Sequence, residues 1–154
     1  MKIVYSSYYC WPLPVLAAYF HLKLVQGKKP DFNNLDFFSD ADNYLLFPSG
    51  IIRKVGIDKY GNEIYIIGNQ GIEGVIERVI MGFNKIFGSK DEIKFVNLNK
   101  KVSIFFKLCI YLAKFDFFKK IAVRLILNSI KNDLPFIVAQ VSETVNILNK
   151  EQDK

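Results

Sequence analysis

KIVYSSYYCWPLPVLAAYFHLKL, from Lys2 to Leu24, decides the fold. Ile3, Val4 and Tyr5 are β-branched or aromatic and predict a short strand buried on both faces. Ser6 to Pro12 reads as a polar and aromatic turn. Pro14 suits the first position of a helix, where a missing N–H leaves nothing unsatisfied. Leu16, Ala17, Phe20 and Leu24 then fall on one helical face. A strand feeding a helix through a tight turn opens a parallel α/β unit. The unbonded N–H groups of the first helical turn are where such folds hold ligands. This turn has no glycine, lysine or arginine, and no capping hydroxyl at its end.

The rest of the chain repeats the alternation. Gly27 to Pro30 ends the first helix, and Asp31 to Phe38 reads as a short helix followed by loop residues Asp40, Asp42 and Asn43. The aspartates and asparagines of that stretch lack the spacing and terminal glutamate of a calcium loop. Ile51–Ile57 and Glu63–Ile67 flank the polar loop Asp58-Lys59-Tyr60-Gly61-Asn62, the pattern of a β-hairpin. Ile72–Phe87 is amphipathic, with Val75, Ile76, Val79, Ile80, Phe83, Ile86 and Phe87 on one stripe and Gly88 as its stop.

Ile93–Asn97 predicts another buried strand. Lys101–Lys114 predicts a helix that is apolar on most sides, with Ser103, Lys107, Tyr111 and Lys114 as a narrow polar stripe. Between Phe115 and Ile130 a helical pattern (Phe117, Phe118, Ile121, Leu125) competes with an alternating one. The preferred reading is a short helix running into a strand from Val123 to Leu127. Asn132 or Asp133 caps the last helix, which buries Leu134, Ile137, Val138, Val141, Val145 and Leu148. The expected fold is therefore a three-layer α/β/α sandwich with a mostly parallel sheet of about five strands and one hairpin. Residues 1–150 form one domain, and 151–154 are a frayed tail.

Composition bounds the function. Of the 154 residues, 51% are hydrophobic and 23% charged, which suits a packed core and excludes disorder over most of the length. Cys10 and Cys109 are the only cysteines and show no metal or redox spacing, as expected of a cytoplasmic protein. His21 is the single histidine, so no metal site is expected. No secretory signal is read at the start, and no run is long and uncharged enough to span a bilayer. The net charge of +6 is uneven: Lys94 to Arg124 holds eight basic residues against Asp116 alone. That stretch is either a solvated face or a patch for an anionic surface, chiefly from Lys100 to Arg124. Its basic residues alternate with aliphatics of the buried type, so nucleic acid is not the expected partner.

In open α/β sheets ligands sit beyond the carboxyl ends of the strands. Those ends supply the candidate site: Ser6, Ser7, Tyr8, Tyr9, Cys10 and Trp11; then Gly68, Asn69, Gln70 and Gly71. Asn97, Asn99, Lys100 and Lys101 follow, with Asn128 and Ser129 after the Val123–Leu127 strand. The same residues also suit ordinary loops. Phosphate-loop, dinucleotide-fold and nucleophile-elbow patterns are all absent, and six positions after Cys10 stands Leu16 where a cysteine phosphatase carries arginine. Cys10 is either a thiol activated by a helix start or a small buried hydrophobe. His21 reads as a packed helical residue.

Several positions resemble the bacterial domain-of-unknown-function family 3189, small proteins of spore-forming Gram-positive bacteria. They are Ile3-Val4-Tyr5, Ala17-Ala18 with His21-Leu22, and Gly56-Ile57-Asp58 through Gly61-Asn62-Glu63-Ile64-Tyr65 with Gly68. Gly82-Phe83, Ile86-Phe87-Gly88 and Val96-Asn97 complete the set. The resemblance runs from Lys2 to about Leu148 and implies a cytoplasmic α/β protein. It implies no activity or cofactor. Family members carry a Gly-Gly-x-His-Ser-Ser-like turn where this chain has Tyr9, Cys10, Trp11, Pro12, Leu13 and Pro14. Bulk replaces the glycines, and the prolines remove two N–H donors. Three readings follow: a non-enzymatic domain with a rebuilt turn and a protein partner or second copy; an enzyme or anion binder using the strand ends; a peripheral membrane protein.

Overall fold

Lys2 to Ser7 (β1) is the central strand of the sheet, and five of its six residues are buried. A parallel neighbour pairs each of its edges, and in such sheets helices cover the faces. The structure, a computed structural model, describes residues 1–28, 50–87, 92–98, 104–113 and 115–152. Among them the chain runs β1, α1 (Leu13–Val25), β2 (Arg53–Ile57), β3 (Glu63–Gly68), α2 (Glu73–Ile86), β4 (Ile93–Asn97), α3 (Ile104–Leu112), α4 (Asp116–Lys131) and α5 (Leu134–Gln152). The strand order is β2-β3-β1-β4. β1 pairs in parallel with β3 (Tyr5 opposite Ile66) and with β4 (Tyr5 opposite Val96), while β2 is antiparallel to β3.

The hairpin is built as its sequence predicts. Gly61 takes φ +80°, which a side chain would resist. Asp58 closes the loop: its Oδ1 accepts from the N–H groups of Tyr60 (2.9 Å) and Asn62 (2.8 Å), and its own N–H donates to the Asn62 carbonyl (2.9 Å). Lys54 and Glu63 pair across the two strands.

One side of the sheet carries the main core. Ile3, Tyr5, Ile64 and Ile66 alternate toward α1, whose Val15, Leu16, Ala17, Ala18 and Phe20 are buried against them. α5 lies on α1 through Ile137, Val141, Val145 and Leu148, as the spacing of its apolar residues predicts. The other side presents Val4 and Tyr65, with Ile80 of α2 beside them. These residues, with Lys2, Ile52 and Ile93, line a cleft of about 220 Å³.

Two expectations change. The stretch from Val123 to Leu127 is helix, not strand, so the described sheet has four strands rather than five. The alternation of Val123, Leu125 and Leu127 is incidental. Ala122, Ile126 and Ile130, four residues apart, are the buried set, and α4 packs along α3 through that side. The stripe of α2 forms a helix as read, but much of it is uncovered: Val75, Val79, Phe83, Ile86 (78% exposed) and Phe87 (74%) face outward. Among the described residues the fold is thus mixed α/β around an open four-stranded sheet. The expected helix at Asp31–Phe38, the stop at Gly88 and the loop residues Asp40, Asp42 and Asn43 lie outside the described residues.

Candidate functional site

The chain leaves β1 into α1 on one face and leaves β3 into α2 toward the other. The crevice between the carboxyl ends of β1 and β3 is therefore the switch point at which an open α/β sheet holds a ligand. Here the two turns lace together across it. The Asn69 N–H donates to the Ser7 carbonyl (2.8 Å) and the Gln70 N–H to the Tyr8 carbonyl (3.0 Å). On the other flank the Leu98 N–H donates to the Ser6 carbonyl (2.8 Å). The Ser7 hydroxyl turns back onto the Tyr9 carbonyl (2.6 Å). Gly68 allows this closeness: a Cβ there would stand 2.6 Å from the Cys10 nitrogen. Cys10 (4% exposed) and Trp11 (2%) fold inward into the core rather than lining an opening.

Tyr8 and Tyr9 remain half-buried above the turn. Their rings meet edge-on at 4.8 Å. The α3 helix lies over both: Phe106 tilts against Tyr9 at 6.2 Å, and the Lys107 ammonium stands 5.1 Å from the centre of the Tyr8 ring. The start of α1 offers little to an anion. Pro12 precedes it with no side-chain cap, Pro14 lies in its first turn, and the Leu16 N–H is already bonded to the Pro12 carbonyl (3.0 Å). Burial pushes the Cys10 thiol up to about 11, against smaller opposing effects of Arg53 and the Gly68 backbone. A protonated, enclosed thiol is a poor nucleophile.

The structure brings only part of the expected set together. Ser6, Ser7, Tyr8, Tyr9, Cys10, Trp11 and Asn69 gather at the β1 and β3 ends, and Asn97 ends β4 beside Ser6 with an exposed side chain. Asn128 and Ser129 do not belong: they are exposed in the last turns of α4, because the strand they were to follow is helix. Asn99, Lys100 and Lys101 lie outside the described residues. Two buried polar atoms at the crevice, Ser6 Oγ and Asn69 Nδ2, have no hydrogen-bond partner among the described residues. Asn69 Oδ1 accepts from the Gly71 N–H at 3.0 Å. No grouping of three metal-ligating side chains occurs among the described residues.

A second polar assembly, absent from the sequence reading, sits within the core. Asp58 Oδ2 accepts from the Asn62 side-chain amide (2.9 Å) and faces His21 Nε2 at 3.3 Å, while His21 Nδ1 meets the Tyr5 hydroxyl at 2.8 Å. Burial lowers the His21 pKa, against the raising effect of Asp58, so the ring is neutral near pH 7. Burial alone would raise Asp58. The bonds from the Asn62 amide and N–H, His21 and the Tyr60 N–H overcome that and hold it below the ordinary carboxylate value. An ionised carboxylate only accepts, so the proton of His21 belongs on Nε2 and Nδ1 accepts from Tyr5. Burial raises the Tyr5 hydroxyl, and Thr144 of α5 adjoins it. All five side chains, Asp58, Asn62, His21, Tyr5 and Thr144, are buried, and the chain of contacts ties β1, α1, the hairpin and α5 together. The available signal was Asp58 with Asn62, which the sequence marks as a hairpin loop without indicating what lies behind it.

Among the described residues no helix is long and apolar enough to cross a membrane. Comparison with curated proteins and with solved structures returned no match. One family model does match, described as a protein of unknown function, DUF3189, over residues 2–146. With nearly its whole length inside that match and the resembling hairpin formed around Asp58, the chain belongs to the DUF3189 family.

Proposed function

We propose that this chain is a non-enzymatic, cytoplasmic member of its family, in which the turn after β1 no longer receives a ligand and the molecule works through its surface. The observation that carries this reading is the closure of the crevice: two backbone hydrogen bonds join the β1 and β3 turns, and Cys10 and Trp11 are folded into the core. The raised Cys10 thiol and the proline-bearing start of α1 agree with it. The uncovered stripe of α2 supports a protein partner or a second copy. In this reading α2 is a thin third layer of an α/β/α arrangement, completed by what binds it.

The second reading is a binder of phosphate, nucleotide or another small molecule at the strand ends, whether or not catalysis accompanies it. It draws on Ser6 Oγ and Asn69 Nδ2, two buried groups at the crevice without partners among the described residues. Titration with inorganic phosphate, ATP and GTP, followed by thermal shift and by amide NMR signals, separates the two. The first reading expects no shift in melting and no movement of the Ser6, Ser7 and Asn69 signals. A saturable movement of those signals supports the second and ends the first.

A further inference from the structure

Three residues join α3 to α4, which makes the pair a helical hairpin. Its inner side, with Cys109, Ile110, Ala113, Ala122, Ile126 and Ile130, belongs to the core. Its outer side is apolar where water would favour polar groups. Phe105, Leu108 and Tyr111 follow one another at spacings of three along α3, Phe115 lies in the connection, and Phe117 (85% exposed), Phe118, Ile121 and Leu125 continue along α4.

Charge borders that surface. At about 100° per residue, Phe117, Ile121, Leu125 and Phe118 occupy one sector of α4, and the exposed Lys120 and Arg124 run along one edge of it. From Ile104 to Lys131 the sequence holds six lysines and arginines and one aspartate. A self-association through this face would set two such basic surfaces against each other, and like charges across an interface oppose binding. Exposed aromatic and aliphatic side chains bordered by cations instead match a surface with an apolar interior and anionic headgroups. No described helix is long and apolar enough to cross, so the fit is to lying on a bilayer.

We infer that the α3–α4 hairpin is a docking surface for an anionic lipid bilayer, with Phe117, Phe118 and Ile121 entering the headgroup boundary and Lys120 and Arg124 meeting the phosphates. The inference is independent of whether the strand-end crevice is closed.

The test is cosedimentation of the full chain with vesicles of phosphatidylcholine alone or mixed with phosphatidylglycerol, at low and high salt. Binding is expected on the mixed vesicles at low salt and about tenfold weaker, or more, at high salt or on phosphatidylcholine alone. The pair Lys120→Glu with Arg124→Glu is expected to reduce binding by about tenfold or more. Phe117→Ser with Phe118→Ser is expected to reduce it to a similar degree, with an unchanged melting temperature showing that the fold is kept. The pair Val75→Ser with Val79→Ser on α2 is expected to bind as the parent does. Equal binding to both vesicle types, an equal effect of the α2 pair, or no binding overturns the proposal. So does a dimer that Phe117→Ser dissolves without any vesicle binding, which would give the face to a second copy.

Discussion

Asp58 Oδ2 stands 3.3 Å from His21 Nε2, and both side chains are wholly buried. The contact joins the loop of the β2–β3 hairpin to the middle of α1, elements that are far apart in sequence. Asp58 is also the acceptor that closes its own loop, through the N–H groups of Tyr60 and Asn62 and the Asn62 amide. One carboxylate therefore shapes the turn and fastens it to the core.

Replacing it separates those duties. Asp58→Ala removes all its acceptors and leaves His21 buried without its partner, which is expected to destabilise the fold by about 3 kcal/mol. Asp58→Asn keeps an acceptor for the loop N–H groups and is expected to cost about 1 kcal/mol. Urea unfolding measures both. Equal losses would mean that the loop bonds contribute nothing.

Burial of His21 makes stability depend on pH, against the opposing effect of Asp58. The folded pKa of His21 lies below the 6.5 of the free side chain. The unfolded chain therefore binds the proton more readily, and the contribution is complete above about 6.5 and lost as pH falls through the lowered value. Asp58, also lowered, adds a second loss below its ordinary value of 3.8. The melting temperature should fall between about pH 7 and pH 5, and His21→Leu should flatten that slope. A melting temperature that rises on acidification would contradict the assignment.

Gly68 is expected to resist any side chain. A Cβ would meet the backbone nitrogen of Cys10 at 2.6 Å, and a backbone atom cannot rotate away. Gly68→Ala should lower stability by about 2 kcal/mol in denaturant unfolding. Gly82→Ala, in α2 with nothing within 4 Å of the added methyl, should raise it by about 0.5–1 kcal/mol. If Gly68→Ala is tolerated like Gly82→Ala, the turns do not pack as closely as described.

Thiol labelling tests the closed crevice directly. Cys10 is enclosed with its thiol pushed up to about 11, and burial also raises Cys109. At neutral pH iodoacetamide should modify the folded chain far more slowly than the chain in urea. Fast modification of Cys10 in the folded protein would show an open turn.

Local chemistry was enough to read most elements from the sequence. Pro14 marks the start of α1, Gly61 with Asp58 marks the hairpin, and the apolar spacing from Ile137 to Leu148 marks the buried side of α5. In each case the signal lies within a few residues of the element it shapes. Residues 123–127 misled because branched and aliphatic residues satisfy a strand and a helix equally over so short a span. Only the packing of α4 along α3, with Ala122, Ile126 and Ile130 inward, chose the helix. The candidate turn was legible as a place, since strand ends in parallel sheets are where chains converge. That its two sides are bonded together, that Cys10 and Trp11 point inward, and that Asp58 meets His21 behind the hairpin depend on contacts between residues as far apart as the 37 positions from His21 to Asp58 and the 62 from Ser7 to Asn69. The sequence by itself determined the order and type of most elements, because backbone preferences and apolar periodicity act locally. Tertiary structure decided which polar groups are enclosed and which apolar stripes of α2, α3 and α4 stay uncovered, because burial belongs to the arrangement of the whole chain.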